Sequence, residues 1–337
     1  MGAYRGRMIP ASIRFPPELA LARGADLLPA STALPGGCRY EPKWDGFRVA
    51  VVQDGATTLW SRRGTDLTGI FPEIVTACAH QLPEQALFDG ELVIWQDERL
   101  AFEQLLRRLS SGARRAPTLS REVPASLVLF DVLALDGTDT RRLSYDDRRE
   151  LLEATLEDAR PPITLSPMTT ERDVAQGWSE DMAAAGIEGI VVKGGAQIYK
   201  PGERQWVKVK RRESVDVVIA AIVGPLHNPM SLVVGFVVDG QLRTAGQSAQ
   251  LSPGQARALG QMLRQPSGPH PWPEVLPAGA MGRFRARSDD LKVTLVEPVM
   301  GEVSADSART AGFFRHSVRF VKLRPDLPLP EFRTADL

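Results

Sequence analysis

The chain has 337 residues, 43% hydrophobic and 24% charged, with 41 basic against 41 acidic side chains and a net charge of zero. That composition excludes a disordered, collagen-like or coiled-coil chain, and the length accommodates about two domains whose cores need no staples. Two cysteines, Cys38 and Cys78, exclude a disulfide scaffold or a cysteine-rich zinc site and suit a reducing, cytoplasmic setting. No apolar run long enough to span a membrane is present, and the basic residues 1–14 are not followed by the apolar stretch of a signal peptide. Zero net charge also argues against a nucleic-acid partner. The charge is uneven, however: 200–212 is strongly basic, and 283–324 holds nine basic against five acidic residues. Steering depends on such local fields.

In chain order, short β-branched runs bounded by Gly, Pro or Asp predict strands at 47–52, 86–95 and 126–135, then at 189–192, 206–209, 215–223 and 232–238. Apolar residues near 3.6 spacing predict helices at 71–81, 102–109, 145–156 and 172–185. The mixture is α+β rather than regular βα alternation. A boundary is expected at Glu213–Ser214, giving domains at 1–213 and 214–326 and a frayed tail at 327–337. The second segment reads as short strands with an Asp239-Gly240 hairpin, one helix at 255–264 and a Pro- and Gly-rich loop at 265–280. That pattern fits a small Greek-key barrel such as the OB-fold.

Five short segments carry chemistry. Glu41-Pro-Lys-Trp-Asp-Gly-Phe-Arg48 places a lysine among charged neighbours. Nearby cations lower a lysine's pKa and free the amine as a nucleophile, although a surface turn would read the same way. Ser61-Arg62-Arg63-Gly64 follows a strand, Asp89-Gly90-Glu91 enters one, and Glu188 and Lys193 end an apolar run. In Trp206-Val-Lys-Val-Lys210, Lys208 and Lys210 share a strand face. Two such cations repel unless solvent or an anion separates them, and phosphate suits them. His80, His227 and His270 are scattered and form no metal pattern; Trp60, Trp95 and Trp206 read as core, and Cys38 as a buried small residue.

Taken in order, these segments resemble the motifs of the covalent nucleotidyltransferases. Lys43 to Arg48 is similar to motif I, Arg62 with Gly64 to motif Ia and Asp89-Gly-Glu91 to motif III. Leu129-Phe-Asp-Val132 is similar to motif IIIa, Glu188-Gly-Ile-Val-Val-Lys193 to motif IV and Lys208-Val-Lys210 to motif V. The closest resemblance is to small bacterial ATP-dependent DNA ligases of the repair and end-joining type. It implies an ATP-grasp-like adenylation domain of antiparallel sheets and helices, followed by a β-barrel OB-fold domain. It also implies a monomer that seals nicked double-stranded DNA in repair, alongside repair proteins, without a membrane. Lys43 would carry AMP. Glu41 would contact adenine, with Phe130 and Val191 stacking on it, and Lys193, Lys208 and Lys210 would join the nucleotide site. Arg48 and Arg62 would meet ribose or phosphate, and Lys208 and Lys210 would help depress the pKa of Lys43. Glu91, Glu188 and Asp45 would hold Mg2+ or Mn2+. Arg48, Arg63 and Arg204 would reach DNA or phosphate, as would Arg315, Arg319 and Arg324 of a segment similar to motif VI, where Leu327 stands in place of a family lysine. Because 42 residues precede Lys43, no room is expected for a large helical DNA-binding domain. An RNA ligase and a non-catalytic nucleic-acid-binding relative are the two other readings.

Overall fold

Alternation with a period of two builds two sheets within the first 210 residues of the chain. The computed structural model describes residues 9–277, 290–306, 309–310 and 312–333. The smaller sheet orders Ala22–Ala25, Trp206–Lys210, Gly189–Gly194 and Cys38–Pro42. One face buries Cys38, Tyr40, Ile190, Val192 and Val207 beneath Ala175 of the helix Arg172–Asp181. The residues between them in sequence point the other way. There, Val191 pairs in register with Lys208 on one side and Glu41 on the other, so the three form a row across three strands.

The larger sheet orders Thr57–Ser61, Phe47–Gln53, Ala86–Gln96, Ala125–Leu135 and Thr138–Asp139, with Arg99–Leu100 and Ile163–Leu165 added at the side. Val49, Val51, Phe88, Leu92, Leu127 and Leu129 bury one face together with Ile74 and Cys78 of the helix Pro72–Gln81, Leu105 of Phe102–Glu122 and Leu152 of Tyr145–Thr155. The alternate residues Ala50, Val52, Leu87, Phe130 and Leu133 pack with Trp206 and Tyr199 in a layer that the two sheets share. Polar side chains also enter this layer, where they must be paired to be tolerated. Asp131 and Arg148 are at most 1% exposed and meet at 2.7 Å, and the guanidinium also donates to the carbonyls of Leu143 and Gln197.

Contacts divide the chain into Met1–Lys210 and Arg211–Leu337. The second unit holds a five-stranded antiparallel sheet, in the order Gln241–Gln247, Ser231–Val238, Arg212–Val223, Thr294–Asp306 and Arg319–Leu323, and the helix Pro253–Met262. Register shifts bend its long central strand near Ile219. Among the described residues no helix is long and apolar enough to cross a membrane.

Several expectations are corrected. The helix expected to stop at 109 continues to Glu122 through Ser110 and Ser111. It is kinked where Gly112 takes a positive φ of 68°, which glycine adopts without steric cost. The helix expected to reach 185 ends at Asp181. Trp95, read as core, is 43% exposed and lies edge-on to Trp44 at 6.4 Å. The segment 327–333 is not frayed throughout: Arg333 donates its backbone N–H to the Gly240 carbonyl at 2.8 Å and Phe332 packs on the second unit's core. The loop 265–280 contains the short strand Val275–Leu276, and its last three residues lie outside those described.

The Asp131–Arg148 pair provides a test of this packing. Asp131→Asn leaves a buried guanidinium without its counter-charge, and the expected loss is about 3–5 kcal/mol. Urea unfolding followed by tryptophan fluorescence measures it; a loss below about 1 kcal/mol would show that the pair is dispensable.

Candidate active site

Lys43 stands at the end of the Cys38–Pro42 strand, where the backbone makes one more antiparallel exchange. Its N–H donates to the Gly189 carbonyl at 2.8 Å and its carbonyl accepts from Glu188 at 3.0 Å. That exchange requires glycine at 189, because a Cβ there would lie 2.0 Å from the Val209 carbonyl oxygen and φ is +148°. Gly46 is constrained in the same way: a Cβ would meet the Leu92 carbonyl at 2.1 Å. With the backbone so placed, Lys43 Nζ donates to Glu188 Oε2. Lys210 Nζ lies 3.4 Å from the same oxygen.

The electrostatics correct one expectation. Burial alone would lower the pKa of Lys43, but Glu188 beside it, with Glu91 and Asp45 further away, holds it above its ordinary value. The depressed lysine is instead Lys208. Burial lowers its pKa first, and Lys43, Lys210, Arg62 and Arg204 add repulsion. Lys208 has no carboxylate partner among the described residues. Five cations thus converge on a half-buried spot that favours an anion. Arg62, Arg63 and Arg204 are exposed.

Arg48 and Asp45 come from the same turn. Arg48 grips Asp89 through Nε at 2.9 Å and Nη2 at 2.6 Å and donates from Nη1 to the Ala20 carbonyl at 2.7 Å. Its guanidinium also lies 4.8 Å from the Trp206 ring centroid. Those contacts tie the expected ribose or phosphate ligand to the protein itself. Tyr199 completes the knot by donating to Asp89 Oδ2 at 2.6 Å.

Glu41 and Lys193 are also held inside. Lys193 is 1% exposed, lies 2.9 Å from Glu41 Oε1, donates to the Phe130 carbonyl at 3.0 Å and sits 4.4 Å from the Trp206 ring centroid. Tyr145 donates its hydroxyl to the same Glu41 oxygen. Phe130 is 8% exposed, and Val191 packs against the same cluster from the facing sheet. Sequence reasoning missed Tyr145, Tyr199 and the role of Asp89. The signal for Tyr145 was there: Ser144, with Asp147 three residues on, is a capping box that makes Tyr145 the first helical residue.

The resemblance drawn from the sequence implies a divalent cation. Among the described residues no three acidic, His or Cys side chains converge on a metal-sized space, so Glu91, Glu188 and Asp45 do not form a protein-only cage. Glu188 is engaged by Lys43 and Lys210. The Glu91 carboxylate makes no hydrogen bond among the described residues, and burial, only partly offset by Lys43 and Arg48, pushes its pKa up to about 8. Mg2+ is typically held by one or two carboxylates together with substrate phosphates, and this donor set fits that mode.

Arg315, Arg319 and Arg324 belong to the second unit. Arg319 opens the Arg319–Leu323 strand. Arg324 is surrounded by carboxylates, at 2.8 Å from Asp326, 3.0 Å from Asp216 and 3.4 Å from Glu302.

Residues 27–210 match the ATP dependent DNA ligase domain family. DNA ligase C2 of Mycolicibacterium smegmatis is 35% identical over 313 residues, 87% of this chain and 88% of the relative. DNA ligase C of Mycobacterium tuberculosis is 32% identical over 317 residues, 88% of each. A solved structure from work on Lig E DNA ligases superposes with a TM-score of 0.55 at 18% identity, covering 91% of this chain and 99% of that one. At that identity the likeness is one of fold.

The raised pKa of Glu91 predicts a pH-dependent stability. Between the ordinary carboxylate value and about 8, the unfolded chain releases this proton while the folded chain keeps it, so stability falls as pH rises through that window. Glu91→Gln removes the penalty. It is expected to raise the melting temperature at pH 7.5 by at least about 2–4 °C, the shift of 1 kcal/mol in a domain of this size, and to gain little at pH 5. Calorimetry at the two pH values checks it; equal shifts at both would refute the assignment.

Proposed function

The chain belongs to the ATP-dependent DNA ligase family, and from that premise we propose that it seals nicked duplex DNA through a lysyl-AMP on Lys43 and a DNA-adenylate. The observation that supports this best is the lysine pressed against Glu188 beside the unneutralised Lys208 and its cationic neighbours. In this reading the α-phosphate of ATP settles on Lys208 and Lys210, which neutralise charge as it builds. The Nζ proton of Lys43 passes to Glu188 Oε2, to which it already donates. The freed lone pair forms the N–P bond, and the bond to pyrophosphate breaks. Glu91 would hold a divalent cation with the triphosphate, and the chemistry such an ion would supply is charge neutralisation.

AMP then passes from Lys43 to the 5′-phosphate at the nick, and the 3′-hydroxyl attacks that phosphate to close the strand and release AMP. Dividing the exchange this way is covalent catalysis. Glu41, Val191 and Phe130 would receive the adenine. Arg62, Arg63 and Arg204, exposed near the cationic site, are assigned to DNA phosphates. Arg48 acts through Asp89 as a positioning residue rather than as a phosphate ligand. We read residues 1–213 as the adenylation domain and 214–326 as an OB-type barrel; the bulged five-stranded antiparallel sheet supports the latter. Arg315 and Arg319 are the barrel's proposed phosphate contacts, since Arg324 is held by three carboxylates. We place the enzyme in the cytoplasm, as a monomer serving DNA repair.

Lys43→Ala is expected to abolish covalent labelling by α-labelled ATP while the protein stays folded by circular dichroism. Lys208→Ala and Lys210→Ala should each slow labelling by at least about 100-fold, the scale of a lost transition-state charge contact. A Lys43→Ala protein that still forms an AMP adduct would overturn the proposal. Sealing compared on DNA, RNA-backed and all-RNA nicks tests the nucleic-acid specificity.

A further inference from the structure

Tyr145 has no part in the chemistry above, yet its position is strongly determined. It is 1% exposed and opens the helix Tyr145–Thr155. Ser144 and Asp147 cap that helix reciprocally. The next residue, Asp146, donates its N–H to the Gly195 carbonyl at 3.0 Å and receives Arg39 at 2.8 and 2.5 Å. One turn on, Arg148 locks onto Asp131. The phenol therefore reaches Glu41 from a helix end pinned to both sheets.

Glu41 receives Tyr145 and Lys193 on one oxygen. Tyr145 Oη donates to Oε1, and Lys193 Nζ lies 2.9 Å from the same atom. Among the described residues Oε2 has no hydrogen-bond partner. Among the described residues the only fully buried side-chain nitrogen or oxygen without a partner is Arg108 Nε, so Oε2 keeps access to the space beyond the protein's own atoms. Glu41 shares its row across the sheet with Val191 and Lys208. A purine stacked over Val191, with its phosphates directed to Lys208, would present its six-position edge to Glu41.

We propose that Tyr145 is a positioning residue that sets base specificity: by clamping Oε1 together with Lys193, it leaves Oε2 as an acceptor aimed at the exocyclic amino group of adenine. This rests on the adenylation reading above. A carboxylate so held accepts but does not donate. A 6-oxo purine would set an acceptor against an acceptor, which a site built for a donor rejects strongly.

The test uses the full chain and measures kcat/KM for covalent nucleotidyl transfer from α-labelled ATP and ITP, which differ at the six-position. Tyr145→Phe keeps the ring and removes the hydroxyl. The ATP-to-ITP ratio is expected to fall by at least about 10-fold, mostly through a higher KM for ATP, with kcat for ATP within about 3-fold. A second variant reads the same clamp without touching Tyr145. In Glu41→Gln, the clamp would hold the amide oxygen on Tyr145 and Lys193 and turn the NH2 toward the base. That should shift preference toward ITP by at least about 10-fold, and adding Tyr145→Phe should erase most of the shift. An unchanged ratio in Tyr145→Phe, or a Glu41→Gln preference indifferent to Tyr145, overturns the proposal. If the unaltered chain forms no adduct with ATP, the adenylation reading itself fails, a result distinct from either.

Discussion

A backbone approach too close for any side chain places the reactive groups of this molecule. Where Gly189 passes the Val209 carbonyl, Lys43 extends the ladder by exchanging hydrogen bonds with Glu188 and Gly189. The proposed nucleophile, Lys43, and the carboxylate beside it come from segments 145 residues apart, and the exchange sets them side by side. Lys210 reaches the same carboxylate because it is paired in register with Gly189. A side chain at 189 would push the strands apart and separate all three groups together.

The layer between the two sheets shows how such a site is kept rigid. Aliphatic residues fill the outer faces of both sheets, but the shared layer is threaded with paired charges: Arg48 with Asp89 and Tyr199, Arg148 with Asp131, and Lys193 with Glu41 and Tyr145. Buried pairs add little net stability, because desolvation offsets their attraction, but they tolerate few alternative arrangements. Aromatic rings from Phe130, Trp206 and Tyr199 fill the space between them. Orientation follows from this packing. Arg48 cannot swing toward a ligand without abandoning Asp89, and Glu41 cannot rotate without leaving both of its donors.

The contrast between Lys43 and Lys208 has a mechanistic consequence. Both are partly shielded, yet the carboxylate beside Lys43 raises its pKa while the cations around Lys208 lower that of Lys208. The pKa values of the proposed nucleophile and of its proposed phosphate partner are therefore shifted in opposite directions by their neighbours. Glu91 is a third case, a carboxylate driven up by burial in spite of nearby cations.

By itself the sequence determined seven of the strands, the face that Lys208 and Lys210 share and the order of the chemical motifs, because a period of two and a set of turn residues are local properties. Lys43, Glu188, Lys208 and Lys210 were legible in that way. Trp95 was not: an apolar run looks the same whether its last residue is covered or lies exposed at a sheet's end. The pairing of Arg48 with Asp89 was not legible either, since nothing local says that their side chains meet across two strands. The helix past Leu109 was hidden by Ser-Ser-Gly, which breaks the pattern but is accommodated by one kink at Gly112. The tertiary structure alone decided which charges face one another, and with them the direction of each pKa shift and the clamp on Glu41. Electrostatic energy depends on distance through space, and positions more than a hundred residues apart in the chain carry no record of it.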